Sequence, residues 1–109
     1  MSESRGLLQG TVDVLILKTL TWKPLHGYGI SEFIREQSKG DLAVEDAALY
    51  QALHRLERQG YVSAEWGASE NNRRARYYAI TGTGRRRLSE QAAYWRSYSR
   101  ALDAVLRDA

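Results

Sequence analysis

The stretch LYQALHRLERQGYV at residues 49–62, with ENNRRARYY close behind it at residues 70–78, decides the fold. In the first segment Leu49, Leu53 and Leu56 recur at spacings of four and three, which puts them along one side of a helix over about residues 45–59, and Gly60 ends it. The period then changes. Tyr61, Val62, Ala64 and Trp66 have strand character, as do residues 76–80, where Tyr77 and Tyr78 point to opposite faces. Between them residues 67–75 are polar and turn-rich, and the pair Asn71-Asn72 tolerates the left-handed backbone of a tight tip. A two-stranded ribbon is not stable alone, so it has to lean on helices.

Working outward, Val12, Val14, Leu15, Ile16, Leu17 and Leu20 cover most of the circumference of a first helix over about residues 11–22, so that helix is buried on several sides. Thr11 can cap it and Asp13 suits its positive end. Pro24 sits in the break that follows. Ile30, Phe33, Ile34 and Gln37 mark a second helix over about residues 27–38, stopped at Gly40. Thr81 can cap a last helix reaching about residue 107, whose first turn is loosened by Gly82 and Gly84. Leu88, Trp95 and Leu102 lie seven apart, as do Ala92, Ser99 and Leu106, which is a seam for packing on a second copy of the same helix.

A length of 109 residues fits one domain, and at this size burial by self-association is a natural source of stability. The chain contains no cysteine, which excludes disulfides, thiolate metal sites and cysteine nucleophiles and fits a reducing compartment. No basic-then-apolar leader is evident, and the longest apolar stretch, residues 12–20, carries Asp13 and Lys18 and is too short to span a bilayer. A soluble protein of the cytoplasm, without membrane contact, is expected. The net charge is only +3, but six arginines and no acid fall between residues 71 and 87. Such a zone is the footprint of a local phosphate-binding surface, although a charge run by itself also reads as a solvated face.

A helix followed at once by an arginine-tipped hairpin is the layout of a winged helix-turn-helix. With the leucines turned inward, Ala47, Tyr50, Gln51, His54 and Arg58 project outward, and the N-terminal half of such a helix enters the major groove. Gln51 can bond adenine N6 and N7, and Tyr50 can reach a base or a phosphate. Asn72, Arg73, Arg74 and Arg76 are the phosphate or minor-groove candidates on the wing, with pairing to an acid as the alternative for Arg76. Tyr28 starts the second helix, where free N–H groups favour a phosphate, and His26 beside it caps or packs. Arg85, Arg86 and Arg87 extend the basic surface or simply face water. Trp95 either packs in the seam or, with Trp22, Tyr94 and Tyr98, forms an aromatic wall for a flat ligand. Enzyme chemistry finds no support. His26 and His54 lack metal-ligand companions at usual spacing, the glycines of residues 81–84 lack the lysine of a nucleotide loop, and no nucleophile with base and acid is evident.

Five pieces, LLQGTVDVLILKTL (7–20), HGYGI (26–30), LYQALHRLERQGYV (49–62), ENNRRARYY (70–78) and ITGTGRRRL (80–88), stand in the order and spacing of the PadR family of bacterial transcriptional regulators, and the chain resembles its compact subgroup with a single C-terminal helix. The resemblance implies a mainly helical α+β fold, with a winged helix-turn-helix over residues 1–80 and a C-terminal dimerisation helix over residues 81–109. It implies a homodimer that binds double-stranded promoter DNA and represses; from the residues themselves, no cofactor or metal is expected. It also implies that the first and last helices form the dimer interface, which places Leu8, Val12, Leu15, Leu88, Ala92, Trp95, Ser99, Leu102 and Leu106 there. Some members release DNA on binding phenolic or other lipophilic compounds, so Trp95, Tyr98 and Trp22 are the candidate effector contacts. The family's helix commonly opens with glycine, a hydroxyl residue and then leucine-tyrosine-proline. Here Ala47, Ala48, Leu49, Tyr50 and Gln51 stand in those places, which removes a hydroxyl and adds an amide able to read a base edge. The expectation is a DNA-binding repressor on a near-palindromic operator. The alternatives are a dimeric winged-helix module that binds protein, and a ligand-binding protein without DNA affinity.

Overall fold

The computed structural model describes residues 10–107. Its elements run α1 (Thr11–Leu20), α2 (Gly27–Gln37), α3 (Asp46–Arg58), β1 (Val62–Ala68), β2 (Arg74–Ile80) and α4 (Gly82–Leu106). This is the mainly helical winged architecture expected, four helices with one two-stranded antiparallel sheet.

The core forms where α1 meets everything else. Ile16, Leu17 and Leu20 of α1 pack with Ile30 and Ile34 of α2, with Leu49, Ala52, Leu53 and Leu56 of α3, and with Val62 and Tyr78 of the strands. Each large aliphatic side chain so buried contributes about 1.5–3 kcal/mol. Ala52 completes the inner stripe of α3, a place that leucine spacing alone does not reveal. A long-range ion pair, Arg55 to Asp13, fastens α3 to α1 across 42 residues of sequence.

The helix ends follow local chemistry, with one correction. Thr11 does not cap α1. Gly10 takes the cap position with φ 86°, no side chain bonds there, and Thr11 is already the first helical residue. Glycine enters that left-handed region without steric cost, so the turn selects it over a side-chain cap. At α2 the His26 Nδ1 accepts the Gly29 N–H at 3.0 Å. Gly60, at φ 81°, reverses the chain after α3 and lets the Tyr61 N–H reach the Leu56 carbonyl at 2.9 Å.

The hairpin is longer than its composition suggests. Register runs from Val62 opposite Ile80 to Ala68 opposite Arg74, so residues 67, 68, 74 and 75 belong to strands and only residues 69–73 make the tip. Asn72 takes φ 58° there, as the asparagine pair anticipates. The ribbon leans on the helical body through Leu25, which exchanges two backbone bonds with Tyr78 (3.1 and 2.9 Å) and acts as a one-residue third strand.

The first turn of α4 is tight, contrary to expectation. Thr81 accepts the Gly84 N–H at 3.0 Å and donates to the Gly60 carbonyl at 2.7 Å. Gly84 is buried, and a Cβ there would lie 2.1 Å from the Tyr61 carbonyl oxygen. Gly84 is thus required for close backbone approach. At 1.5 Å per residue α4 is about 37 Å long, and its far end carries exposed apolar residues, Val105 at 82 % and Leu106 at 74 %. No described helix is long and apolar enough to cross a membrane.

Candidate nucleic-acid interface

The outer face of α3 is free. Ala47, Tyr50, Gln51, His54 and Arg58 are all exposed, while Leu49, Ala52, Leu53 and Leu56 face the core. The helix has no side-chain cap, but its cap position is Glu45, and Ala48 already lies inside the first turn, so the loss of a hydroxyl at Ala48 is not what leaves the cap open. Tyr50 differs from the others. A Cβ on Gly27 would lie 2.4 Å from its Oη, so the phenol rests on the first turn of α2. It therefore braces α2 against α3 as well as facing outward, and Gly27 has no side chain because the ring needs that space.

The wing stands beside this face. Arg73 and Arg74 are exposed and enter no ion pair among the described residues. Arg76 is only half-exposed and bonds the Glu57 carboxylate of α3 at 2.8 Å, the acid-paired alternative read from the sequence. Its guanidinium also lies 5.9 Å from the Tyr78 ring. The Tyr78 phenol is pushed up, mainly by burial and against the opposing pull of Arg76. The Arg74 guanidinium stacks 4.4 Å from the Trp66 ring centre. At the tip, Ser69 and Arg73 close the loop through a 2.8 Å backbone bond, and Asn72 sits at its apex.

The start of α2 completes the surface. Tyr28 is 70 % exposed, and its phenol is raised mainly by the neighbouring Glu32 carboxylate. His26 spends Nδ1 on its cap, so in the neutral ring Nε2 carries the proton and faces Glu70 Oε1 at 3.5 Å. The Glu70 carboxyl is held below the usual range, first by its own backbone N–H and then by His26. The His26 ring also packs on Tyr77 at 5.2 Å. An open groove of about 540 Å³ joins these parts and is lined by Tyr28, Tyr50, Trp66, Arg74 and Arg76 among others. A helix face, a helix start and a cationic ribbon thus meet along one surface. Among the described residues no cluster of three or more His, Cys, Asp or Glu is placed to hold a metal ion.

The same order of helices and wing occurs in proteins of known class. A model of the "Transcriptional regulator PadR-like family" matches residues 16–90. The chain belongs to the PadR-like family. Members are DNA-binding transcription regulators and not enzymes. A transcriptional regulator from Clostridium thermocellum is similar in structure at a TM-score of 0.82, with 29 % identity over 91 % of this chain and 96 % of that one. A PadR family transcription regulator from Clostridium difficile aligns at a TM-score of 0.76, with 27 % identity over 90 % of this chain and 100 % of its own. An uncharacterised protein of Lysinibacillus sphaericus is 29 % identical over 100 residues, 92 % of each chain.

The expected dimer positions of this PadR-like chain divide by burial. Val12, Leu15 and Leu88 pack against the monomer core. Ala92 and Trp95 are half-buried, whereas Ser99, Leu102 and Leu106 are exposed. Leu8 lies outside the described residues. The Ser99 hydroxyl donates to the Trp95 carbonyl at 2.8 Å, within its own helix. Of the candidate effector contacts, Trp95 and Tyr98 sit edge to face at 5.9 Å, and Tyr94 stacks on Tyr98 at 5.8 Å. Trp22 does not join them, because it packs on Phe33 of α2 at 5.4 Å with Lys23 over its ring.

Sequence reasoning passed over Trp66, Glu57 and Glu70 as site residues. Trp66 carried a readable signal, since register places it directly opposite Arg76 on the arginine face of the ribbon. The two glutamates carried none, because their partners lie 19 and 44 residues away.

Proposed function

We propose that this PadR-like chain is a transcriptional repressor that binds a near-palindromic promoter operator as a homodimer and acts at the nucleoid. Residues 1–80 form the DNA-binding unit and residues 81–109 the dimerisation helix. The observation that carries this reading is Tyr50, on the exposed face of α3, lying across one groove from Arg74 of the wing, while Arg73 and Arg74 are exposed cations without acidic partners among the described residues. In this reading the N-terminal half of α3 enters the major groove, with Gln51 and Ala47 at base edges and His54 and Arg58 further along. Tyr28 and Tyr50 approach the backbone beside the start of α2, and Asn72, Arg73 and Arg74 hold phosphates or the minor-groove edge. Arg76 acts from behind, through Glu57.

The long, apolar end of α4 supports pairing of two copies, with Val12, Leu15, Leu88, Ala92, Trp95, Ser99, Leu102 and Leu106 at or near the seam. Two α3 helices then meet successive major grooves about 34 Å apart. Bound there, the dimer blocks the promoter sterically. A small aromatic or lipophilic effector stacking on Trp95 and Tyr98 changes the tilt of α4 and hence the spacing of the α3 helices, which releases DNA.

Selection of bound fragments from the host genome with purified full chain tests the reading. Enriched fragments should share a two-fold motif, and affinity should fall steeply with salt. A chain that enriches no fragment, or binds duplexes without salt dependence, refutes it. Titration of tryptophan emission with aromatic compounds in the presence of the operator tests release, which requires that the ligand bind and the DNA dissociate together.

A further inference from the structure

Trp66 is 60 % exposed although it is among the largest apolar side chains of the chain. It lies on β1 directly opposite Arg76, and Arg74 occupies the diagonal position on β2. Side chains on a ribbon alternate between faces, so Trp66, Arg74, Arg76 and the buried Tyr78 share one. That face is the one turned to the groove against Tyr28 and Tyr50. Along it, aromatic and cation alternate: Tyr78 at the base carries Arg76, which is tied to Glu57, and Trp66 further out carries Arg74.

The two arginines are held differently. Arg76 has a carboxylate to fix it. Arg74 enters no ion pair among the described residues, and its guanidinium is held by the indole, at 4.4 Å. A guanidinium held over a ring by its charge leaves N–H donors free for phosphate oxygens. A free arginine would lose side-chain entropy on binding, and one already stacked loses less.

Resting on the DNA-binding reading above, we infer that Trp66 is a positioning and contact residue of the interface. Its indole presents Arg74 to the phosphate backbone, and duplex DNA then covers the exposed indole. Trp66 and Arg74 act as one unit, so removing either disables the other. Tyr50 and Trp66 both line the groove, so in this reading the DNA backbone meets both.

The chain has three tryptophans, Trp22, Trp66 and Trp95. The native chain and its Trp66→Leu variant differ in emission by Trp66 alone, so the difference between their spectra reports on that indole with Trp22 and Trp95 left in place. The probe is a random-sequence duplex of about 30 base pairs at low salt, followed by anisotropy of a label on the DNA and by Trp66 emission. Emission is expected to change along the same curve as anisotropy. In the otherwise native chain, Trp66→Leu is expected to weaken binding about five- to thirty-fold, a range set by cation–π strength at partly exposed sites in each of two protomers. Arg74→Ala should cost about as much, and the double variant no more than the larger single. Trp66→Tyr, which retains a π face, should recover most of the affinity, and thermal midpoints should stay within a few degrees of the native one. Anisotropy that reports bound duplex while Trp66 emission stays constant overturns the inference alone. So do additive effects in the double variant, or a Trp66→Tyr chain no better than Trp66→Leu. Emission that follows protein concentration and ignores DNA assigns the indole to a protein contact, which also overturns it. A native chain that binds no duplex removes the DNA-binding reading first, and this inference with it.

Discussion

Arg76 of the wing reaches back to Glu57 of α3 and closes a 2.8 Å ion pair with it. The ribbon is thereby tied to the helix beside which it stands, and the angle between them is held by an ion pair as well as by the packing of Val62 and Tyr78 in the core.

Glu57→Gln separates this tie from net charge. Both ends are about a third exposed, so the pair contributes about 0.5–1 kcal/mol, and the melting midpoint should fall by a few degrees. Removing an acid from the surface proposed to face DNA would by itself raise affinity for duplexes. If the tie aims the wing, anisotropy at low salt should show affinity falling instead. A raised affinity with an unchanged melt would leave the pair without a role in aiming.

Gly82 and Gly84 should respond oppositely to alanine. Nothing lies within 4 Å of a Cβ at Gly82, so Gly82→Ala should stabilise by up to about 1 kcal/mol through helix propensity. At Gly84 the new methyl meets the Tyr61 carbonyl and Ile80, and Gly84→Ala should destabilise by about 1–3 kcal/mol through overpacking despite the same propensity gain. Urea unfolding of the two variants measures both signs.

Arg73→Ala should weaken binding to all duplexes alike and lower the slope of affinity against salt by about 1 for each phosphate it no longer neutralises. Gln51→Ala should leave that slope alone and change preference at one base pair by about 1–3 kcal/mol. Titrations of operator and scrambled duplex at several salt concentrations distinguish the two. A Gln51 variant with unaltered preference would remove that residue from base reading.

The wing tip carries a pH signature. Glu70 is depressed by its own backbone N–H and by His26. A carboxyl with a lowered folded pKa stabilises above its unfolded value and loses that contribution as pH falls through the folded one. Native chain should therefore exceed Glu70→Gln in stability near neutral pH, slightly because the group is exposed, and the difference should vanish as the pH falls below the ordinary carboxylate range. Unfolding curves across that range check it; a difference that grows on acidification would contradict the assignment.

Leu102→Glu places a charge on the outer part of α4, where Leu102 is 41 % exposed in the monomer. If two copies pair along α4 as proposed, sedimentation should show a shift from dimer to monomer at micromolar concentration, with helical content kept. Persistence of the dimer would move the seam off this stripe.

Local chemistry made the elements legible. Leucine spacing located α3, Thr81 located the start of α4, and the asparagine pair located the tip, because each depends on neighbours within a turn or two. The expected hairpin is too short because Gly67 and Ala68 look like turn residues, while register across the ribbon keeps them paired. Gly84 looks like a weakness in the sequence because its reason, the Tyr61 carbonyl, belongs to another segment.

By itself, then, the sequence determined the succession of helices and ribbon, the inward leucines, the outward face of α3 and the arginine-rich wing, since periodicity and composition act over a few residues. Tertiary structure alone decided that Arg76 serves Glu57 while Arg74 lies on Trp66, that Tyr50 rests on Gly27, and that Trp22 keeps apart from Trp95. Those pairings join side chains from different elements, and their partners exist only once hydrophobic burial has brought the elements together.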